Sequence, residues 1–164
     1  MLTRRLAAAI VLTLSCSVSL AQDRTIVLDG ARIHSVASPV IESGRLVVSK
    51  GKIVAVGKSA EIEIPAGSRV IDAKGRVIIP GLVDTHSHLG VASRPLEASN
   101  SDGNESTGPV QSVVRALDSV NVMDPGFQMA LSGGLTTANI MPGSGNVIGG
   151  QTVYVKLRGR TIEE

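Results

Sequence analysis

The stretch PGLVDTHSHLG, residues 80–90, holds two of the chain's three histidines, His86 and His88, one residue apart at the end of an apolar run. Neutral imidazole is a good ligand for zinc and similar divalent ions, and two rings on one face of a strand can meet a single ion. A strand sends alternate side chains to the same side, so Asp84, His86 and His88 are expected to share that face. A carboxylate there can orient an imidazole, or it can accept backbone N–H groups at the strand end. The pair alone is a weak signal. Its setting, after VIIPGLVD and before a long polar loop, is what gives it weight. The remaining histidine, His34, falls in the earlier β-rich segment and reads as a surface or turn residue.

The elements that must position this pair follow from the patterning. From Thr25 to Pro80 short β-type runs alternate with turn residues, and Ser43-Gly44, Lys50-Gly51 and Lys74-Gly75 sit where hairpin turns are expected. A small antiparallel sheet unit is predicted, and part of a secreted β-sandwich would read the same way. After Pro80 the histidine strand leads into VASRPLEASNSDGNESTGP, a segment whose Ser, Asn and Gly content marks a long loop. PVQSVVRALDSVNV has helical spacing, with Val110, Val113, Val114 and Leu117 on one stripe. Asp124-Pro125 makes a good helix start and Gly133-Gly134 a good end. LTTANIMP returns to β character, GSGNVIGGQ forms a glycine-rich loop, and TVYVKLRG is a further strand. Strand, loop, helix and strand make the repeating piece of a parallel α/β barrel, in which the C-terminal strand ends face the reaction site.

The loops offer further candidates. Asn104 and Glu105 lie just beyond the histidine strand, and Gly145 and Asn146 lie in GSGNVIGG, where backbone N–H groups can hold a carboxylate or phosphate. All four are expected to reach substrate or to be plain solvated loop residues. The GxxxxGK[ST] pattern of a nucleotide loop is absent from the sequence, which disfavours ATP or GTP.

Residues 1–21 combine a basic start, an apolar stretch and the small-x-small site Ser19-Leu20-Ala21, as a secretory signal peptide requires. An uncleaved anchor fits less well, because Ser and Thr interrupt a short apolar stretch. A lipoprotein reading through Cys16 lacks the usual upstream leucine. Cleavage would remove Arg4 and Arg5, bringing the 16 basic side chains level with the 14 acidic ones. A formally neutral mature chain gives no support to a nucleic-acid or anionic-membrane partner. Aromatic residues are limited to Phe127 and Tyr154, too few for a base-stacking platform. Cys16, the single cysteine, leaves with the signal segment, so the exported protein must hold together by packing or metal without a disulfide. A periplasmic or extracellular location is expected.

GRVIIPGLVDTHSHLG, preceded by a β-rich segment containing KGKIVAVG, resembles the opening of the amidohydrolase superfamily, whose first barrel strand reads PG(L/I)(I/V)DxHxH. The longer run of HSHLGVASRPLEASNSDGNEST, VRALDSVN, GGLTTANIMPGSGNVIGGQ and VKLRGRTIEE is similar to the secreted, imidazolonepropionase-like branch of that superfamily. The resemblance covers the chain from about Arg24 to Glu164. It implies a hydrolase that uses a divalent metal, zinc first among the candidates, to activate water against a C–N bond other than an ordinary peptide bond. A cyclic amide or a small acylated or dipeptide-like compound would be the substrate. His86 and His88 match the first-strand metal ligands, and Asp84 fills the acidic position of the motif with a supporting role.

The resemblance also implies parts this sequence does not supply: a bridging carboxylated lysine or glutamate, two further histidines and a last-strand aspartate. A complete barrel takes about 250 residues. The expected fold is therefore α/β: residues 22–80 as a small β-sandwich-type composite domain, then residues 81–164 as the N-terminal part of an incomplete TIM barrel. On its own such a piece is expected to be inactive and poorly soluble, with unpaired strand edges. Two other readings remain open, a non-catalytic exported binding protein and a metal hydrolase of another bond. Oligomeric state is not legible.

Overall fold

The computed structural model describes residues 24–159, 161 and 162, so the expected signal peptide over residues 1–21 lies outside the described residues. The chain divides into two compact units, one ending at Ile79 and the other beginning at Pro80.

The first unit is one mixed sheet. It contains β1 (Ile26–Ile33), β2 (Ile41–Ser49), β3 (Lys52–Lys58), β4 (Arg69–Asp72) and β5 (Val77–Ile78). The order is β3-β2-β1-β4, with β5 also on β1. Val27, Ala31 and Ile33 of β1 are buried, Ala31 and Ile33 clustering with Ala73, and Val27 pairing with the equally buried Val47 of β2. Val27 and Val47 are both essentially inaccessible, each contributing about 1.5–3 kcal/mol relative to exposure. No second facing sheet of a sandwich is present among the described residues of this unit.

Two turn expectations need correction. Lys50 and Gly51, with φ of 49° and 70°, do close the β2–β3 hairpin in the left-handed region that a type I′ turn demands. Ser43-Gly44, by contrast, lies inside β2, where Gly44 pairs with Ala31. A Cβ at Gly44 would come within 2.5 Å of the Ile33 side chain, so this glycine serves close packing and not a turn. Lys74-Gly75 does turn, but it links β4 to β5, and both run parallel to β1. The unit is therefore mixed and not purely antiparallel.

The second unit carries β6 (Leu82–Ser87), α1 (Pro125–Ser132), β7 (Leu135–Ile140) and β8 (Val153–Lys156). β6 and β7 are parallel and connected through α1, as a barrel repeat requires. β8 instead folds back antiparallel on β7. Central β7 is buried from Thr137 to Ile140, on both faces. Ala138 and Ile140 form the core with Val91, Ala116 and Leu157, and Phe127, Ala130 and Leu131 of α1 pack against it. An eight-residue helix is marginal in isolation, so this packing and its cap are what hold it.

The helix expected over PVQSVVRALDSVNV does not form. Only Ala116–Asp118 makes a single 3₁₀ turn there. Val110 and Arg115 make isolated bridges to Ile148 and Gln151 of the glycine-rich segment, on either side of a turn at Ser112 and Val113, with Gln111 N donating to Ile148 O at 2.8 Å and Ala116 N to Gln151 O at 2.9 Å. Backbone groups satisfied by a distant segment have no need of a helix. Val113, placed on the apolar stripe, is 82% exposed. Among the described residues no helix is long and apolar enough to cross a membrane.

Candidate functional site

β6 brings the histidines to the C-terminal end of the parallel pair. It ends at Ser87, so His88 is the first residue beyond the strand, and the β6–β7 register is irregular between Asp84 and Ser87. The two rings meet all the same, with centroids 5.3 Å apart and planes at 85°, and Asp84, His86 and His88 line one cavity. His86 is exposed and His88 half-buried.

The His88 ring is held from β7. Its Nδ1 lies 2.8 Å from the backbone oxygen of Met141, the residue that follows β7. A carbonyl oxygen only accepts, so Nδ1 must carry the proton and the neutral ring keeps its lone pair on Nε2. This is the tautomer a metal-binding histidine needs, with the outer hydrogen bond that commonly fixes ring orientation. Asp84 does otherwise than orient an imidazole. Its Oδ1 accepts from the backbone N of His86 at 3.1 Å, which is the second of the two roles expected for it.

A cavity of about 350 Å³ opens beside the pair, lined among others by Asp84, His86, His88, Arg94, Asp124 and Met129. Asp124 is 3% exposed. Its Oδ1 accepts from Gly126 N at 2.8 Å and Arg94 N at 3.0 Å, and its Oδ2 from Gly90 N at 3.0 Å. Burial works to raise its pKa, but the hydrogen bonds from Gly126, Arg94 and Gly90, with the nearby Arg94 charge, outweigh that and hold it below the ordinary 3.8. The sequence marked Asp124 only as a helix cap. Its three-way grip on the loop leaving the histidine strand needed the fold to be seen.

Asn104, Glu105, Gly145 and Asn146 do come together, but with one another. Gly145 N donates to Asn104 Oδ1 at 2.7 Å, and Asn146 Nδ2 donates to the backbone oxygens of Glu105 at 2.7 Å and Gly108 at 2.9 Å. None of the four is among the residues lining the histidine cavity. The Glu105 carboxylate accepts from Thr107 N, and that bond lowers its pKa. His34 is half-buried at the end of β1 in the other unit, with its backbone N bonded to Ile78 O. On β7, Asn139 is a buried polar residue that sequence reasoning passed over; its Nδ2 donates to Thr85 O at 3.3 Å.

The donor chemistry fits part of a divalent metal site. Two imidazoles, one locked in the ligating tautomer, suit zinc or a similar ion. Among the described residues no three His, Cys, Asp or Glu side chains converge, so the pair offers two donors, fewer than the three protein ligands of a typical catalytic zinc site.

No protein-family model matches the chain. It is 38% identical over 114 residues to the amidohydrolase tasK of Hapsidospora irregularis, which covers 69% of this chain and 12% of that protein. It is 47% identical over 64 residues to the imidazolonepropionase of Symbiobacterium thermophilum, covering 37% of this chain and 15% of that protein. The chain thus spans well under a quarter of the length of these two curated relatives. Among solved structures, the amidohydrolase from Thermotoga maritima matches with a TM-score of 0.73 and 39% identity, over 85% of this chain and 35% of that one. Likeness in sequence and in backbone agree with the parallel β6–β7 pair and its terminal histidines, and the chain belongs to the amidohydrolase superfamily.

Proposed function

We propose that this chain is the N-terminal part of an exported, metal-dependent amidohydrolase that cleaves a C–N bond other than an ordinary peptide bond. A cyclic amide or a small acylated or dipeptide-like compound is the substrate class. The observation that carries the reading is the hydrogen bond between His88 Nδ1 and the Met141 oxygen, 2.8 Å, because it leaves Nε2 free to ligate. His86 and His88 hold a divalent cation, zinc by preference for nitrogen ligands. When bound, the cation supplies the Lewis acidity that makes attack by water feasible near neutral pH.

The chain's own residues do the positioning. Asp84 fixes the backbone at His86, and Asp124 fixes the loop that leaves His88. The remaining ligands and the proton-transfer group come from polypeptide beyond these residues, in keeping with the 35% of the Thermotoga maritima structure that the chain spans. The chain by itself is then inactive. Export rests on the sequence of residues 1–21.

The test is made on the full-length protein loaded with zinc and assayed against cyclic amides, N-acyl amino acids and dipeptides. Loss of bound metal and turnover in the His86→Ala, His88→Ala double variant is expected. Undiminished metal content and turnover in that variant would overturn the proposal.

A further inference from the structure

Two loops that flank the histidine pair are fastened to each other by a reciprocal pair of asparagines. The Asn104 side chain reaches from the first loop to accept from Gly145 N at 2.7 Å, and the Asn146 side chain reaches back to Glu105 O and Gly108 O. Between them Gly143 N donates to Gly103 O at 2.6 Å. The Asn104 amide sits in a cradle that two glycines make. A Cβ at Gly143 would come within 2.6 Å of it, and one at Gly145 within 2.7 Å. Neither glycine has a positive φ, so it is this close approach, and not backbone freedom, that calls for glycine.

The second loop begins at Met141, whose backbone oxygen accepts from His88 Nδ1. Met141 is fixed on one side, where its own N donates to Ser87 O at 2.9 Å. On the other side it is followed by Pro142 and then by the cradle. The Met141 carbonyl therefore lies between β7 and the cradle, which opens at Gly143 two residues on and holds Asn104 through the Gly145 N–H four residues on.

We infer that Asn104, seated between Gly143 and Gly145, is a positioning residue for His88: by anchoring the loop it aims the Met141 carbonyl and keeps the ring in the Nδ1–H tautomer. The inference rests on the metal-site reading above for its consequence, but the tautomer itself is a property of the metal-free protein. Asn146 works in the same direction through Glu105 and Gly108. The residue types follow: a side-chain amide can accept with its oxygen, and a chain without Cβ leaves room for it.

The experiment is nitrogen NMR of the metal-free full-length protein labelled with ¹⁵N-histidine, at a pH where imidazole is neutral, with the His88 signals identified by their loss in His88→Gln. Wild type is expected to show His88 as a single Nδ1–H tautomer. Asn104→Ala, and independently Gly143→Ala, are expected to give a mixture containing the Nε2–H form and to weaken zinc binding about tenfold, the usual size of an outer-sphere loss. Asn104→Asp keeps an accepting oxygen and is expected to restore the single tautomer. A merely structural latch would lower the melting temperature and leave the tautomer alone. A folded Asn104→Ala protein with unchanged His88 signals would overturn the inference, and so would an Nε2–H tautomer in the wild type, which requires no variant to fold. Failure of zinc to bind the wild type at all, with the tautomer as expected, would overturn the metal reading and leave the latch standing.

Discussion

Asp124 and Gly90, 34 residues apart, are joined by a buried hydrogen bond of 3.0 Å from the glycine N–H to the carboxylate Oδ2. The same side chain caps α1 and takes the N–H of Arg94. One carboxylate therefore ties the helix that connects the parallel strands to the loop that leaves the histidines. Replacing it by alanine removes the cap and leaves the buried Gly90 N–H and the partly buried Arg94 N–H without their acceptor. A loss of about 2–4 kcal/mol is expected, the sum of a cap and charge-assisted bonds, with Asp124→Asn losing less. Urea unfolding of wild type and both variants measures this, and a loss under 0.5 kcal/mol for Asp124→Ala would refute it.

The same residue sets a pH dependence. Its pKa is held below 3.8 in the folded chain, so the unfolded chain binds the proton more readily. By linkage, its contribution is complete above the unfolded pKa and is lost as pH falls through the lower folded value. Stability measured against pH should then show the wild-type advantage over Asp124→Asn intact at about pH 6 and shrinking below about pH 4. A gap that stays constant into strong acid would mean the charge is not what these N–H groups hold.

Gly81 of the Pro80-Gly81 motif has a local reason to be glycine. A Cβ there would lie 2.3 Å from both Cγ2 and Oγ1 of Thr136, across the start of the β6–β7 pair. Gly81→Ala should cost about 1–3 kcal/mol through overpacking, and Thr136→Ala in the same chain should recover part of it. A double-mutant cycle by denaturant melts checks the coupling, and additive losses would show that the two positions do not meet.

How far the sequence could be read depended on whether the determining contact was local. β6 and α1 were legible because a β-branched run and an Asp-Pro start act within a few residues. The stretch from Val110 to Leu117 forms no helix; apolar spacing says nothing of a distant backbone partner, and the Gln111 and Ala116 N–H groups are taken by residues 148 and 151. The antiparallel return of β8 was equally hidden, since direction is fixed by pairing with Thr137 to Ile140 and not by composition. At the candidate site, His86 and His88 stand out in the sequence by type and spacing. The Met141 carbonyl could not, because a backbone oxygen has no letter of its own. Asn104 and Gly145 read in the sequence as separate candidates for substrate contact, while their bond across 41 residues is a property of the fold.

The two histidines should separate stability from ligation. His86 is exposed, so His86→Ala should change metal-free stability by no more than about 0.5 kcal/mol. His88 donates to the Met141 oxygen in a half-buried setting, so His88→Ala should cost about 1–2 kcal/mol before any metal is added. Ligation adds a second effect, because an ion that binds only the folded chain stabilises it by about 2.7 kcal/mol at a hundredfold excess over its dissociation constant. Thermal melts of the full-length protein should therefore rise with zinc, fall back on chelation, and lose that response in either variant, although only His88→Ala starts from a lower baseline. An equal zinc response in wild type and both variants would place the ion somewhere other than at these rings.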